Sequence, residues 1–263
     1  MHSRLSVHTI GFGERPAPEI FRTLAAAGIH RAGITMRQVE LGTVRGSISA
    51  ARDEGVQVID VVQPSAFELE DPDSWGASRT RLCVSLDAAR GIGAGTLYTT
   101  TGPAPHLAWD EAAERFADAV EPVVSYATSL GVRLAEENTI TLRADLSFVH
   151  RLSDVVDLAE LSGVAVVADL FAAWTERDLE HALKASLPHL AHVQIADFVL
   201  GTLTTPNRAV PGDGDIPIGQ QLGWLSDAGY EGVIELELAG PRIDAEGAVR
   251  ACRRGLAAVE ALL

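Results

Sequence analysis

The chain is poor in lysine, cysteine and aromatic residues. Its one lysine, Lys184, lies in a polar helical segment, so Schiff-base chemistry, which needs a desolvated amine, is not expected. The two cysteines, Cys83 and Cys252, have no CxxC spacing, which predicts neither a disulfide framework nor a thiolate metal site. The start of the sequence lacks the apolar segment of a signal peptide, and no apolar run approaches about 18 residues. These absences predict a reduced, cytoplasmic protein without a membrane span.

Positive charge is also scarce. The 263 residues include 36 acidic and 21 basic side chains, so the formal net charge is −15. This balance disfavours nucleic acids and anionic membranes as partners, because both are bound by clustered lysine and arginine. The chain is 47% hydrophobic with a mean hydropathy of +0.13, which is typical of a folded protein with a large core.

Short β-branched segments alternate with amphipathic helical segments along the whole chain. The eight predicted strands are SVHTI, HRAGI, VQVIDVV, TLYTT, VRLAEE, VAVVAD, HVQIAD and VIELEL. Eight such repeats in about 250 residues predict a (β/α)8 TIM barrel, which we expect to form one domain over residues 1–263. A Rossmann sheet is the alternative, but its glycine-rich turn follows a strand. The cluster Gly91-Ile-Gly93-Ala-Gly95 instead closes a helix.

The last four predicted strands end in side chains with oxygen atoms, and in a barrel these ends meet at the catalytic face. The four residues are Glu137, Asp169, Gln194 and Glu237. Side chains alternate along a strand, so Ala135 and Glu137 are expected to point inward, with Glu136 at the rim. By the same alternation Glu235 and Glu237 both point inward, and Glu237 lies nearer the mouth.

Three carboxylates in one pocket repel each other by several kcal/mol unless a cation neutralises them. We therefore expect Glu137, Asp169, Gln194 and Glu237 to bind one divalent metal ion. Because all four would bind through oxygen, Mg²⁺ or Mn²⁺ suits the set better than zinc. The alternative interpretation is that each acid merely caps a helix or pairs with an arginine.

Five ordered segments resemble the xylose-isomerase-like family of sugar phosphate isomerases and epimerases. They are GVRLAEEN, VAVVADLF, LAHVQIAD, NRAVPGDGDI and GYEGVIELE. The resemblance implies that Glu137, Asp169 and Glu237 bind a divalent metal and that Glu137 and Glu237 exchange a proton with the substrate. It also implies that Arg208 contacts substrate oxygens.

The sequence departs from this family at three positions. Gln194 stands where most epimerases have histidine. Glutamine at this position resembles the hydroxypyruvate isomerase and dehydroshikimate dehydratase branches. Ala172 replaces a substrate-contacting histidine, and Thr35 stands where a glutamate often ends the second strand. The metal platform is intact, but these changes disfavour the usual epimerisation of ketohexoses.

Three further residues are candidates for substrate binding. Trp174 would either wall the pocket or pack in the core, and His8 would face the mouth from the end of the first strand, unless its role is purely structural. Asn138 ends the fifth strand beside Glu137.

The sequence thus predicts a metal-dependent isomerase or epimerase of a small keto-sugar or related polyol, which transfers a proton at the carbon next to a carbonyl. One alternative is a metal-dependent lyase or dehydratase that removes water from a cyclic hydroxy-ketone. Another is a non-catalytic barrel that acts with a partner subunit. Each of these three functions is compatible with assembly of the chain into a homo-oligomer.

Overall fold

The computed structural model describes residues 2–64 and 67–263 and contains a closed barrel of parallel strands, hydrogen-bonded in chain order from β1 to β8. The strands are β1 (Leu5–His8), β2 (Arg31–Thr35), β3 (Gln57–Val62), β4 (Thr96–Thr99), β5 (Arg133–Glu137), β6 (Ala165–Asp169), β7 (Leu190–Ile195) and β8 (Ile234–Glu237). All eight predicted strands are therefore confirmed, and so is the (β/α)8 fold class.

Helices connect the strands. In the described part of the chain they are α1 (Ala17–Ala26), α2 (Met36–Leu41), α3 (Val44–Asp53), α4 (Trp75–Ile92), α5 (Trp109–Leu130), α6 (Leu152–Ser162), α7 (Leu170–Ala173), α8 (Leu179–Ser186), α9 (Ile218–Asp227), α10 (Pro241–Glu246) and α11 (Ala248–Glu260). Gly93 ends α4 in a left-handed conformation with φ of 85°, as expected of a helix stop rather than a dinucleotide-binding turn. None of the helices in residues 2–64 and 67–263 combines the length and hydropathy needed to cross a bilayer.

The chain divides into two compact units. The first comprises the described residues up to Ile59 together with His192–Leu263, and the second runs from Asp60 to Ala191. In the first unit β1 pairs with both β2 and β8, and β8 also pairs with β7. In the second unit β3, β4, β5 and β6 pair in sequence.

Alternation along β5 separates its two glutamates. Ala135 packs in a buried apolar cluster with Tyr98 and Val167, and Glu137, two residues later, projects from the same face of the sheet. Glu136 projects from the opposite face, towards the helices. Its side chain is fully buried, so the expectation that it lies at the rim is wrong. Helices α5 and α6 both contact β5.

Candidate active site

The registration of β1 on β8 brings together four polar side chains on one face of the first unit. Ser6 is paired with Glu235, and His8 with Glu237. The Ser6 hydroxyl donates a hydrogen bond of 3.1 Å to Glu235 Oε1, and His8 Nδ1 lies 3.8 Å from Glu237 Oε1. All four are buried, which agrees with the expected inward direction of both glutamates.

Glu235 is the centre of a wider polar cluster. Gln194 Nε2 donates a hydrogen bond of 3.1 Å to Glu235 Oε2. His192 Nε2, from the same strand β7, lies 3.8 Å from that oxygen. The amide nitrogen of Gln194 is directed to the carboxylate, and its Oε1 is an acceptor of the kind that binds cations or substrate hydroxyl groups.

His8 is neutral at ordinary pH. Burial lowers its pKa to about 4, although the nearby Glu235 carboxylate raises it, and His192 and Arg208 lower it further. The Ile10 N–H donates to His8 Nδ1 at 3.2 Å, which assigns the remaining proton of the neutral ring to Nε2. A neutral imidazole is the form that binds metal ions, and in this tautomer Nδ1 would have to give up its hydrogen bond with Ile10 to do so.

Glu237 forms an ion pair with Arg208, whose Nη2 lies 2.5 Å from its Oε2. Burial raises the pKa of the Glu237 carboxyl; the Arg208 charge lowers it, while Glu235 raises it. A carboxyl group with a raised pKa exchanges protons more readily near neutral pH.

Arg208 is held in place by a loop organised around Asp197. The buried Asp197 carboxylate accepts hydrogen bonds from four backbone N–H groups, at 2.9–3.0 Å. The donors are Phe198, Gly212, Gly214 and Ile216. A Cβ atom at Gly214 would collide with Asp197 Oδ1, so the close approach requires glycine. The backbone of Arg208 donates in turn to Ala239 O at 3.0 Å, just beyond β8.

The side chains of the first unit fit a divalent cation chemically. His8 and Glu235 belong to a group of buried histidine and carboxylate side chains whose ligand atoms lie within 4.8 Å of one another. Nitrogen and carboxylate oxygen donors at such spacing are common in sites for Mn²⁺ and Zn²⁺. This candidate group includes a nitrogen donor, which the all-oxygen prediction did not contain.

In the second unit, Asp169 and Asn138 are joined through two hydrogen bonds. Asn138 Nδ2 donates to Asp169 O, and the Asp169 N–H donates to Asn138 Oδ1, both at 2.9 Å. Asp169 Oδ1 also accepts from the Phe171 N–H at 2.9 Å and caps α7. The Asn138 amide therefore fixes the end of β6, and its role in substrate binding stays a prediction.

The remaining predicted residues of the second unit are partly accessible. Glu137 and Trp174 are half-buried, and Trp174 follows the last residue of α7. The assignment of Glu137, Asp169, Gln194 and Glu237 to one metal ion stays a prediction.

Two buried carboxylates were absent from the predicted site. Glu235 was expected to point inward but was not assigned a function, and Asp60 in β3 was not considered. Both could have been recognised in the sequence as acidic residues inside predicted apolar strands. Burying such a residue is costly unless it has a partner or a function. Thr35, at the position where glutamate is frequent, instead caps α2, where its hydroxyl accepts from the Gln38 N–H at 3.1 Å.

Comparison with known proteins identifies the family. Residues 43–259 match the family model of the xylose isomerase-like TIM barrel. The chain belongs to this family. The predicted resemblance is therefore confirmed over most of the sequence.

Individual proteins are similar to the chain over most of its length. A protein of Streptomyces coelicolor, provisionally named a hydroxypyruvate isomerase, is 27% identical in an alignment 258 residues long, and the match covers 87% of this chain and 88% of that protein. The crystal structure of the IOLI protein with a bound zinc atom is 15% identical with a TM-score of 0.84, covering 98% of this chain and 97% of its own. D-psicose 3-epimerase from Clostridium cellulolyticum H10, solved with D-tagatose, is 17% identical with a TM-score of 0.80 and covers 98% and 97%.

Proposed function

We propose that the protein is a divalent-metal-dependent isomerase or epimerase of a small polyhydroxylated ketone or keto-sugar. The observation that carries this proposal is the buried pairing of Glu237 with Arg208 beside His8. Glu237 provides a carboxyl group with a raised pKa, and the guanidinium group of Arg208 provides planar, positively charged donors for hydroxyl or carboxylate oxygens of a substrate. Membership of a family whose relatives include named isomerases and epimerases supports it.

The residues proposed to hold the metal are Glu137, Asp169, Gln194 and Glu237, and His8 with Glu235 offers further ligand atoms. A bound Mn²⁺ or Mg²⁺ would supply Lewis-acid polarisation of the substrate carbonyl group. The fit is chemical: the buried carboxylates and neutral imidazole are the donors that such ions take.

Proton transfer is assigned to Glu137 and Glu237. One carboxylate would take the proton from the carbon next to the carbonyl. Returning a proton to the same carbon from the opposite face inverts its configuration. Returning it to the former carbonyl carbon, while the hydroxyl proton moves to the carbonyl oxygen, interconverts ketone and aldehyde. In both cases the substrate gains and loses one proton at carbon.

Arg208 is assigned to substrate orientation and to control of Glu237. Its guanidinium group offers several N–H donors in a fixed plane, an arrangement that suits hydroxyl and carboxylate oxygens of a substrate. Trp174 would form part of the pocket wall. Asn138 would act on the site through the backbone of Asp169.

The first experiment is to measure metal content by plasma emission spectrometry and then to screen hydroxypyruvate, keto-sugars and cyclic polyol ketones with added Mn²⁺. We expect a stoichiometric divalent ion and an isomer of unchanged mass. A product lighter by one water molecule would assign the protein to the lyases instead. A metal-free protein that stays inactive with Mn²⁺ and Mg²⁺ would indicate a non-catalytic barrel.

A further inference from the structure

A second concave site lies in the first unit, between α1 and the beginning of α11. Its cavity of about 660 Å³ is lined by four arginines (Arg15, Arg250, Arg253 and Arg254), by Thr23, and by residues 247–249 at the start of α11. The volume falls within the range of about 300–1,000 Å³ typical of small-molecule sites. None of these residues belongs to the proposed catalytic site.

The charge of this cavity contrasts with that of the whole chain. Four of the 21 basic residues in a protein with net charge −15 line one depression. Mutual repulsion disfavours such clustering unless anions compensate for it. The four arginines differ in whether a carboxylate of the protein already compensates their charge.

Arg254 and Arg250 have acidic partners. Arg254 binds Asp213 through two hydrogen bonds of 2.7 and 2.6 Å and Glu246 through two of 3.0 and 2.7 Å. Arg250 Nε lies 3.8 Å from Glu246 Oε1 and is largely exposed. The carboxylates of Asp213 and Glu246 thus compensate the charges of Arg254 and Arg250, and the four hydrogen bonds of Arg254 hold its side chain in place.

Arg15 and Arg253 have no acidic partner among the described residues. Arg15 Nε donates to the backbone oxygen of Phe12 at 3.0 Å, and its guanidinium carbon lies 5.3 Å from the centroid of the Phe12 ring. This fixes one face of the guanidinium group and leaves its terminal N–H groups without a carboxylate. The cavity therefore carries about two uncompensated positive charges.

The backbone adds to this positive potential. α11 begins after Gly247, whose φ is 90°, and no side chain in the described part of the chain caps it. The first two residues of this 13-residue helix, Ala248 and Val249, line the cavity together with Gly247. Uncapped N–H groups at a helix start favour an anion.

We propose that this arginine-lined cavity binds a phosphate group, either free or carried by a small molecule. Guanidinium groups bind phosphate through pairs of parallel hydrogen bonds, and several of them can share its oxygens. The cavity accommodates a group larger than phosphate alone. A long polyanion such as nucleic acid is disfavoured, because it would meet the acidic remainder of the surface.

The test is titration of the full-length protein with inorganic phosphate and with phenyl phosphate by isothermal calorimetry at low ionic strength. We expect saturable binding at one site per chain. In Arg253→Gln the affinity should fall about tenfold or more, because the most exposed uncompensated charge is lost. Arg253 is exposed, so the variant should keep the melting temperature of the wild type.

Arg45→Gln is the matched control, since Arg45 is exposed on α3, outside the cavity. It should bind both probes as tightly as the wild type. Equal weakening in the two variants, or the absence of saturable binding to the wild type, would overturn the proposal and indicate general electrostatic attraction only. Tighter binding of phenyl phosphate would identify an organic phosphoester as the occupant, and equal affinity would identify free phosphate.

Discussion

Arg208 and Glu237 form an ion pair of 2.5 Å in which both side chains are almost completely withdrawn from solvent. The pair links the end of β8 to the loop after β7, and that loop is held by the carboxylate of Asp197. We therefore expect substitutions of Glu237 and Arg208 to act mainly on catalysis, and substitution of Asp197 to act mainly on the free energy of unfolding.

Replacing either proposed proton-transfer residue, in Glu137→Gln or Glu237→Gln, should lower turnover by about 10²–10⁴, the usual contribution of a general acid or base. The amide keeps an oxygen that can bind metal, so the metal content should change little. The measurement is incorporation of solvent deuterium at the carbon next to the carbonyl, followed by NMR.

Glu231→Gln is a suitable control for these variants, because Glu231 lies outside the strands, just before β8. It should exchange deuterium at the wild-type rate. If Glu137→Gln and Glu237→Gln exchanged the proton equally fast, other groups would have to act as the bases.

Arg208→Lys should lower kcat/KM by about 10- to 100-fold, because lysine keeps the positive charge but loses the planar arrangement of donors. Steady-state kinetics at saturating metal would measure the change. Arg45→Lys, at an exposed position of α3, should leave kcat/KM unchanged. A wild-type rate in Arg208→Lys would show that positive charge alone suffices.

Asp197→Ala should reduce the free energy of unfolding by about 3 kcal/mol or more, because four backbone N–H groups lose their acceptor. Urea denaturation would give the loss, and hydrogen exchange should accelerate in residues 207–216. Asp215→Ala is the comparison, since that carboxylate accepts from Leu200 at an exposed site, and its loss should be much smaller. Equal losses would rule out a special role for Asp197.

Glu136→Gln should stabilise the protein at pH 8. Burial raises the pKa of the Glu136 carboxyl well above 4.5, and neither oxygen has a hydrogen-bond partner among the described residues. The folded state therefore keeps a proton that the unfolded chain loses above pH 4.5. Stability is fully present below this unfolded-state pKa and falls as the pH rises towards the folded-state value.

Urea denaturation at pH 5 and pH 8 would test this linkage. The stability advantage of Glu136→Gln over the wild type should be larger at pH 8 than at pH 5. An advantage that does not change with pH would show that Glu136 titrates normally.

The sequence by itself determined the order of strands and helices, because alternating and helical periodicities recur eight times and glycines mark several helix ends. It also determined that Glu235 and Glu237 share a face, since side chains two residues apart on a strand point the same way. Strand alternation correctly separated Glu136 from Glu137. It also places His192 and Gln194, two residues apart on β7, on one face, where both contact Glu235.

Only the tertiary structure decided which polar groups became partners. The salt bridge of Arg208 with Glu237, the four N–H groups around Asp197 and the complete burial of Glu136 depend on the registration of strands and the packing of helices. The arginine-lined cavity likewise joins Arg15 to residues more than 200 positions later. Periodicity is a local property that fixes the direction of a side chain, whereas contacts between distant residues depend on how the whole chain packs.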